Sequence, residues 1–262
     1  METGLRERVA IVAASSQGLG RATAEALAAE GARVAMCART EKTLRAAADA
    51  IRQKHKTEVF EHAFDVTHPG AVQAFVAAVA EKFGRIDICV TNAGGPPAKN
   101  FLSLGMEEWR KAVELNFLSV VSFCQAVIPH MQRQRWGRII TITSMAVKQP
   151  VPELILSNAV RSAVVGLVRS LANEFGPDGI LVNNVGPGYT ATDRLQELAA
   201  TRALAQGISA EEVMQRFGAE AALQRVGDPR EFADTVVFLA SERASYVTGQ
   251  TILVDGGAYK GL

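Results

Sequence analysis

Short runs of apolar, β-branched residues alternate along the chain with longer stretches whose apolar positions recur every three or four residues. Arg8 to Ala13 predicts a strand, Leu19 to Gly31 a helix, Arg33 to Ala38 a strand, Glu41 to His55 a helix and Glu58 to Phe64 a third strand. The rhythm continues with a helix over Pro69 to Phe83, a strand over Ile86 to Thr91, a helix over Met106 to Gln134, a strand over Gly137 to Thr143 and a helix over Leu154 to Phe175. Strands over Ile180 to Val185 and Gln250 to Val254 close it. Strands joined through helices run parallel, because each crossover returns the chain to the same edge, so the predicted architecture is α/β, three-layered and doubly wound around a seven-stranded parallel sheet.

No linker, repeat or low-complexity stretch breaks this rhythm, so residues 1–262 are read as one domain. Residues 190–226 form an insertion before the last helix and strand, with helical patterns over Leu195 to Gln206 and Ala210 to Ala222. Placed beyond the carboxyl end of a strand, that pair is expected to cover the ligand crevice as a substrate lid. The Leu154 to Leu171 pattern is apolar almost all round, which leaves two readings: both faces buried within the monomer, or one face against another subunit.

Composition narrows the class. Hydrophobic residues make up 48% of the chain, enough for a sizeable core, and 28 basic residues against 27 acidic leave no excess charge for a nucleic acid or an anionic membrane. No apolar run is read as long enough to span a bilayer, no secretory signal opens the chain, and a cytoplasmic protein is expected. Cys37, Cys89 and Cys124 lie in apolar stretches without paired or metal-ligand spacing, so they read as buried thiols and no metal site is expected.

After the first strand, Ala14-Ser15-Ser16-Gln17-Gly18-Leu19-Gly20 opens directly into a helix. Glycines there let a backbone approach a pyrophosphate, and the free amides of the helix start receive its charge. Two glycines alone are equally consistent with a plain strand-to-helix turn. Further along stand Asp65-Val66, Thr91-Asn92-Ala93-Gly94, the segment Asn183 to Thr192 with Pro187, Gly188, Thr190 and Thr192, and a closing Val254-Asp255-Gly256-Gly257.

In that order and register, from Arg6 to Gly257, these stretches resemble the short-chain dehydrogenase/reductase family, nearest in appearance to its 3-oxoacyl-carrier-protein reductases. The resemblance implies a Rossmann fold, a nicotinamide cofactor and hydride transfer to a carbonyl. It implies that the Ala14 to Gly20 turn holds pyrophosphate, that Asp65 and Val66 contact adenine, that Asn92, Ala93 and Gly94 flank the cofactor, and that Pro187, Gly188, Thr190 and Thr192 hold the carboxamide. Ala13 and Ala14 depart from the family's Thr and first Gly, a departure expected to alter the turn's backbone slightly.

The second strand ends Cys37-Ala38-Arg39, with no carboxylate to bind a ribose 2′-hydroxyl and a guanidinium suited to a phosphate. NADP(H) is therefore expected, with Arg39 as a solvated loop cation the competing reading.

The family's catalytic set is Asn, Ser and a Tyr-x-x-x-Lys pair. Asn116 and Ser144 match the first two, but the tyrosine and lysine positions hold Ser157 and Arg161. The i to i+4 spacing still puts both on one helix face, so Arg161 is expected near the ribose and nicotinamide with a permanent charge. Among Tyr189, Tyr246 and Tyr259, Tyr189 is the least implausible substitute. Lys148 and Glu153 are candidate proton donors or solvated loop charges, and the lid residues Arg194, Arg202 and Arg216 read better as solvated charges than as an anion site. Two functions follow: an NADP(H)-dependent oxidoreductase with a non-standard site acting on a small-molecule carbonyl or conjugated double bond, or a catalytically silent NADPH-binding sensor or scaffold. The resemblance also implies a homotetramer.

Overall fold

Strand side chains point alternately to opposite faces, and each face of the sheet has acquired its own core. The computed structural model describes residues 2–262. Strands β1 (Val9–Val12), β2 (Arg33–Ala38), β3 (Val59–Ala63), β4 (Ile88–Thr91), β5 (Gly137–Ile142), β6 (Ile180–Pro187) and β7 (Thr251–Val254) form one parallel sheet in the order β3-β2-β1-β4-β5-β6-β7. The expected seven-stranded, doubly wound sheet is what forms.

On one face Ala10 and Val12 of β1 pack with Leu27 of α1 (Gly18–Ala29), Leu44 and Ile51 of α2 (Glu41–His55), and Phe232 and Val236 of a later helix, Pro229–Ala240. On the other, Val9 and Ile11 meet Phe75 and Val79 of α3 (Pro69–Phe83), Phe123 and Val127 of the helix Ser119–Gln134, and Val164 and Val168 of the helix Ile155–Phe175. Strand order reverses between β1 and β4, so the loops leaving them splay apart and open a crevice beyond their carboxyl ends.

The stretch expected as one helix from Met106 to Gln134 is α4 (Met106–Val113), a π-helical turn (Glu114–Leu118) and α5 (Ser119–Gln134). Such turns insert an extra residue into a helix and concentrate at functional sites; this one carries Asn116. Helix α6 (Ile155–Phe175) buries Leu156, Val160, Val164 and Val168 on one side and exposes Ala159, Ala163 and Gly166 on the other. Its second face is therefore not buried in the monomer.

One expectation is corrected. By length and apolarity two helical stretches, Met106–Gln134 and Ile155–Asp178, would suffice to cross a bilayer. The sequence reading missed this because single polar residues interrupt both stretches, although their mean hydropathy stays high; here both lie against the sheet.

The insertion forms α7 (Asp193–Gln206) and α8 (Ala210–Glu220), capped by the Thr192 and Ser209 hydroxyls and separated by Gly207 in the left-handed region (φ 67°). Leu198 and Ala203 pack on Val213 and Phe217, and Tyr189 stacks on Phe217 with ring centroids 4.4 Å apart. Asp228, Pro229 and Glu231 then start α9 (Pro229–Ala240) with a reciprocal capping box.

Candidate active site

The turn after β1 shows how the chain accommodates its departure from the glycine pattern. Ala14 keeps the left-handed conformation (φ 47°) that a glycine adopts without cost. The alanine carries the strain of that conformation. Ser15 is fully buried, its amide donating to the Cys37 carbonyl (3.1 Å) and its hydroxyl to the Val12 carbonyl (2.9 Å), so it ties β1 to β2 and faces away from the crevice. A Cβ on Gly20 would collide with the Ala14 carbonyl, so only glycine lets α1 lie this close to the turn. Asn92 steadies the same carbonyl from β4, its Nδ2 at 3.4 Å.

Ser16, Gln17, Gly18 and Leu19 line a cavity of about 600 Å³. Gln17 makes no side-chain cap and no acidic residue occupies the first turn of α1, so neither competes for that positive helix end. Arg39 lines the same cavity at the end of β2, with Asp65 and Val66 at the end of β3. Burial pushes the Asp65 carboxyl up, but the Thr67 amide and hydroxyl and the charges of Arg39 and His68 outweigh it, leaving the group lowered and anionic.

Beyond β4 the wall passes through Asn92, Ala93, Gly94 and Pro96 to Thr143 and Ser144 at the end of β5, then to Ser157 and Arg161 of α6. Pro187 at the end of β6 and Gly188, Thr190 and Thr192 beyond it complete the wall beside α7. Ser144 accepts from the Ala146 amide (3.1 Å), which fixes its side chain at the strand end. Asn158 grips Val151 through both its amide groups (3.2 and 2.9 Å), holding the β5–α6 loop beside Ser157.

Arg161 is 7% exposed and donates to the Ile142 carbonyl (3.2 Å) and the Gly94 carbonyl (3.3 Å). Among the described residues no carboxylate lies within ion-pair distance of it. Burial, then the charge of Arg194, pushes its guanidinium down to about 10, still cationic at neutral pH. Asn116 sits behind this wall, not in it: its Nδ2 donates to the Gly94 carbonyl (2.8 Å), and its buried Oδ1 has no partner among the described residues.

The remaining candidates divide. Ser15, Gly20 and Asn116 support the cavity without lining it. Lys148 is exposed, and Glu153 pairs with Arg202 (3.3 Å) outside the cavity, so neither faces Ser144. The reading of the lid arginines as solvated is corrected for Arg202, while Arg194 stays half-exposed at the cavity's edge. Arg202 is 14% exposed, lies over the Phe217 ring and reaches the Pro152 carbonyl (3.4 Å); Arg194 lines the cavity and donates to the Pro96 carbonyl (2.8 Å). Arg216 does stay in solvent, paired with Glu212. Helical spacing placed these charges on α7 and α8, and tertiary packing turned Arg202 inward. Tyr189 lines the cavity, but its ring is committed to Phe217 and its phenol is pushed up by burial and by Glu220, against the pull of Arg202.

Comparison with known proteins agrees with this geometry. The family model described as enoyl-(acyl carrier protein) reductase matches residues 13–259. The short-chain reductase protein NovJ of Streptomyces niveus is 39% identical over 252 residues, covering 96% of this chain and 94% of NovJ. The chain belongs to the short-chain dehydrogenase/reductase family. The 3-oxoacyl-[acyl-carrier-protein] reductase FabG of Escherichia coli is 35% identical, over 96% of this chain and 97% of that one. The structure of L-sorbose reductase from Gluconobacter frateurii, complexed with NADPH and L-sorbose, superposes with a TM-score of 0.95 at 33% identity over the whole of both chains. This member of the family is an SDR-type oxidoreductase by descent and by fold.

Proposed function

We propose that the chain is an NADP(H)-dependent reductase of a carbonyl or conjugated double bond, working through a non-standard site of Ser144, Ser157, Arg161 and Asn116. The residues fit the cofactor: the α1 amide end and the Ala14 to Leu19 turn suit its pyrophosphate, Arg39 its 2′-phosphate, Asp65 and Val66 its adenine, and the Pro187 to Thr192 segment its carboxamide. NADPH bound to the L-sorbose reductase neighbour supports the choice. When bound, the cofactor supplies a hydride.

The chain must then supply a proton and stabilise charge that develops on the substrate oxygen. Ser144 and Ser157, both in the wall, can hold a water that gives up the proton, while Arg161 keeps a fixed positive charge one helical turn away. Asn116 acts at one remove, holding the Gly94 carbonyl that Arg161 also uses. Losing a positioned general acid costs about 10² to 10⁴ in rate, whereas orientation and preorganised charge can supply more, so replacement of the tyrosine is compatible with turnover.

The observation that carries this reading is the pair Ser157 and Arg161 facing one cavity whose far end is the Ala14 to Gly20 cradle. Ser144→Ala is expected to slow substrate-dependent NADPH consumption about 100-fold, measured by absorbance across ketones, oxo acids, thioesters and enones. The second reading is a silent NADPH sensor or scaffold, favoured by one fact: the sole tyrosine in the wall, Tyr189, is stacked into the lid. Saturable NADPH binding with no multiple turnover would establish it instead.

A homotetramer belongs to the same proposal. The small-residue face of α6 and the exposed Met106, Val113 and Leu118 of the preceding helix are surfaces a second copy would cover. Light scattering at micromolar concentration is expected to give four chains per particle; a monomer would refute it.

A further inference from the structure

Resting on the reductase reading above, we propose that Arg161 and Arg194 form a subsite for a substrate carboxylate, so that the substrate class is an oxo acid with an apolar body. The two guanidiniums converge on one short segment. Arg161 rises from α6 to the Gly94 carbonyl, and Arg194 descends from α7 to the Pro96 carbonyl, with its Nε 3.2 Å from where a Cβ on Gly95 would stand. Both line the same cavity, and they repel each other across it. Arg161 is buried without a counter-charge, which is costly, and the half-exposed Arg194 brings a second cation beside it, so the corner favours an anion.

No carboxylate of the chain fills that role. Glu197 reaches Arg194 only from the solvent side, at 3.5 Å, and Arg161 has no acid at all among the described residues. Asp193 lines the cavity but makes no ion pair with either arginine, and Asp65 is engaged by Thr67 at the opposite end.

The cofactor's own anionic groups have other receivers. Arg39 stands at the end of β2, which is three strand positions from β5 and Arg161, about 14 Å at the usual spacing. The pyrophosphate cradle belongs to β1, two positions away. What the arginines do adjoin is the substrate corner, with Ser144 and Ser157 on one side and Met145, Val151, Leu154 and Leu198 as apolar wall. A planar carboxylate with two acceptor oxygens suits two guanidinium forks, and an aliphatic remainder suits those side chains.

The experiment is calorimetric titration of the NADP⁺-saturated protein with six-carbon aliphatic oxo acids, the carboxylate placed next to the carbonyl or two carbons away, each against its primary amide. At least one acid is expected to bind about 10-fold or more tightly than its amide, since a charge-assisted hydrogen bond contributes about 1.5 to 3 kcal/mol. Arg194→Gln, a half-exposed position that can lose its charge without leaving a buried hole, is expected to bring that ratio below about 3-fold, as is Arg161→Gln where it folds. Acid and amide binding within twofold of each other, or a preference untouched by Arg194→Gln, overturns the subsite. So does a large loss of NADPH affinity in Arg194→Gln, which would make the arginine a clamp on the cofactor. NADPH titration of the unaltered protein is run first: failure there removes the reductase reading, whereas saturable NADPH binding without acid preference removes the subsite alone.

Discussion

The cavity has two ends that obey different rules. At the β1–β2–β3 end the chain holds its shape through backbone: the Ala14 turn, the close approach of Gly20, and the Ser15 bonds that stitch β1 to β2. A departure such as Ala14 is absorbed there as strain. At the β5–α6–lid end the proposed chemistry rests on the side chains of Ser144, Ser157 and Arg161, carried on a strand end and a regular helix. A substitution there that leaves the helix intact would alter the reaction and not the fold.

The sharpest way to break this contrast is Gly20→Ala. A methyl there meets the Ala14 carbonyl, a backbone atom that cannot swing aside. Overpacking of this kind costs about 1 to 3 kcal/mol, and because α1 must retreat from the turn, NADPH affinity is expected to fall about 100-fold. Fluorescence titration alongside thermal melting measures both. Unchanged NADPH affinity would mean that the backbone does not govern that end.

At the other end Arg161→Met separates function from stability. The guanidinium is buried without an acidic partner, and replacing a buried ion with an apolar side chain of similar length is often neutral or stabilising by about 1 to 4 kcal/mol. The unliganded protein is expected to melt at the same temperature or higher, while turnover is lost. A lower melting temperature together with retained turnover would show that the arginine is there for packing and its hydrogen bonds to Ile142 and Gly94.

The same contrast explains what could be read from the sequence. Parallel strands buried on both faces show as near-continuous apolar runs, and the crossover helices carry a regular period, so the sheet and both layers were legible. Ser144, Ser157 and Arg161 were assigned by resemblance to the family's motif, and they line one cavity because spacing at a strand end and along one helix turn is rigid. Ser15 was assigned to the cofactor because it lies within the turn, but a single residue's rotation in a turn decides whether it faces in or out, and no periodicity reports that. Arg202 was misread for a related reason. A long flexible cation on an amphipathic helix is solvated by default, and the Phe217 ring and the Pro152 carbonyl, distant in sequence, draw this one inward, while Arg194 stays half-exposed and touches the Pro96 carbonyl. The π-helical turn at Asn116 left no trace, since its residues are ordinary helix formers.

The smallest effect tests the strain itself. Ala14 holds φ 47°, a conformation that disfavours an L-residue by about 1 to 2 kcal/mol. Ala14→Gly removes that strain but gives the unfolded chain more freedom, a loss of about 0.5 to 1 kcal/mol. The difference leaves a net gain of about 0 to 1.5 kcal/mol, each kcal/mol being equivalent to about 2 to 4 °C in a chain of this size. No part of Arg161, Ser157 or the lid changes, so the preference for one substrate over another is expected to stay as it was while the melting temperature rises. If Ala14→Gly instead altered substrate preference, the two ends of the cavity would be coupled through the Ala14 carbonyl and Asn92, and the division drawn between them would have to be given up.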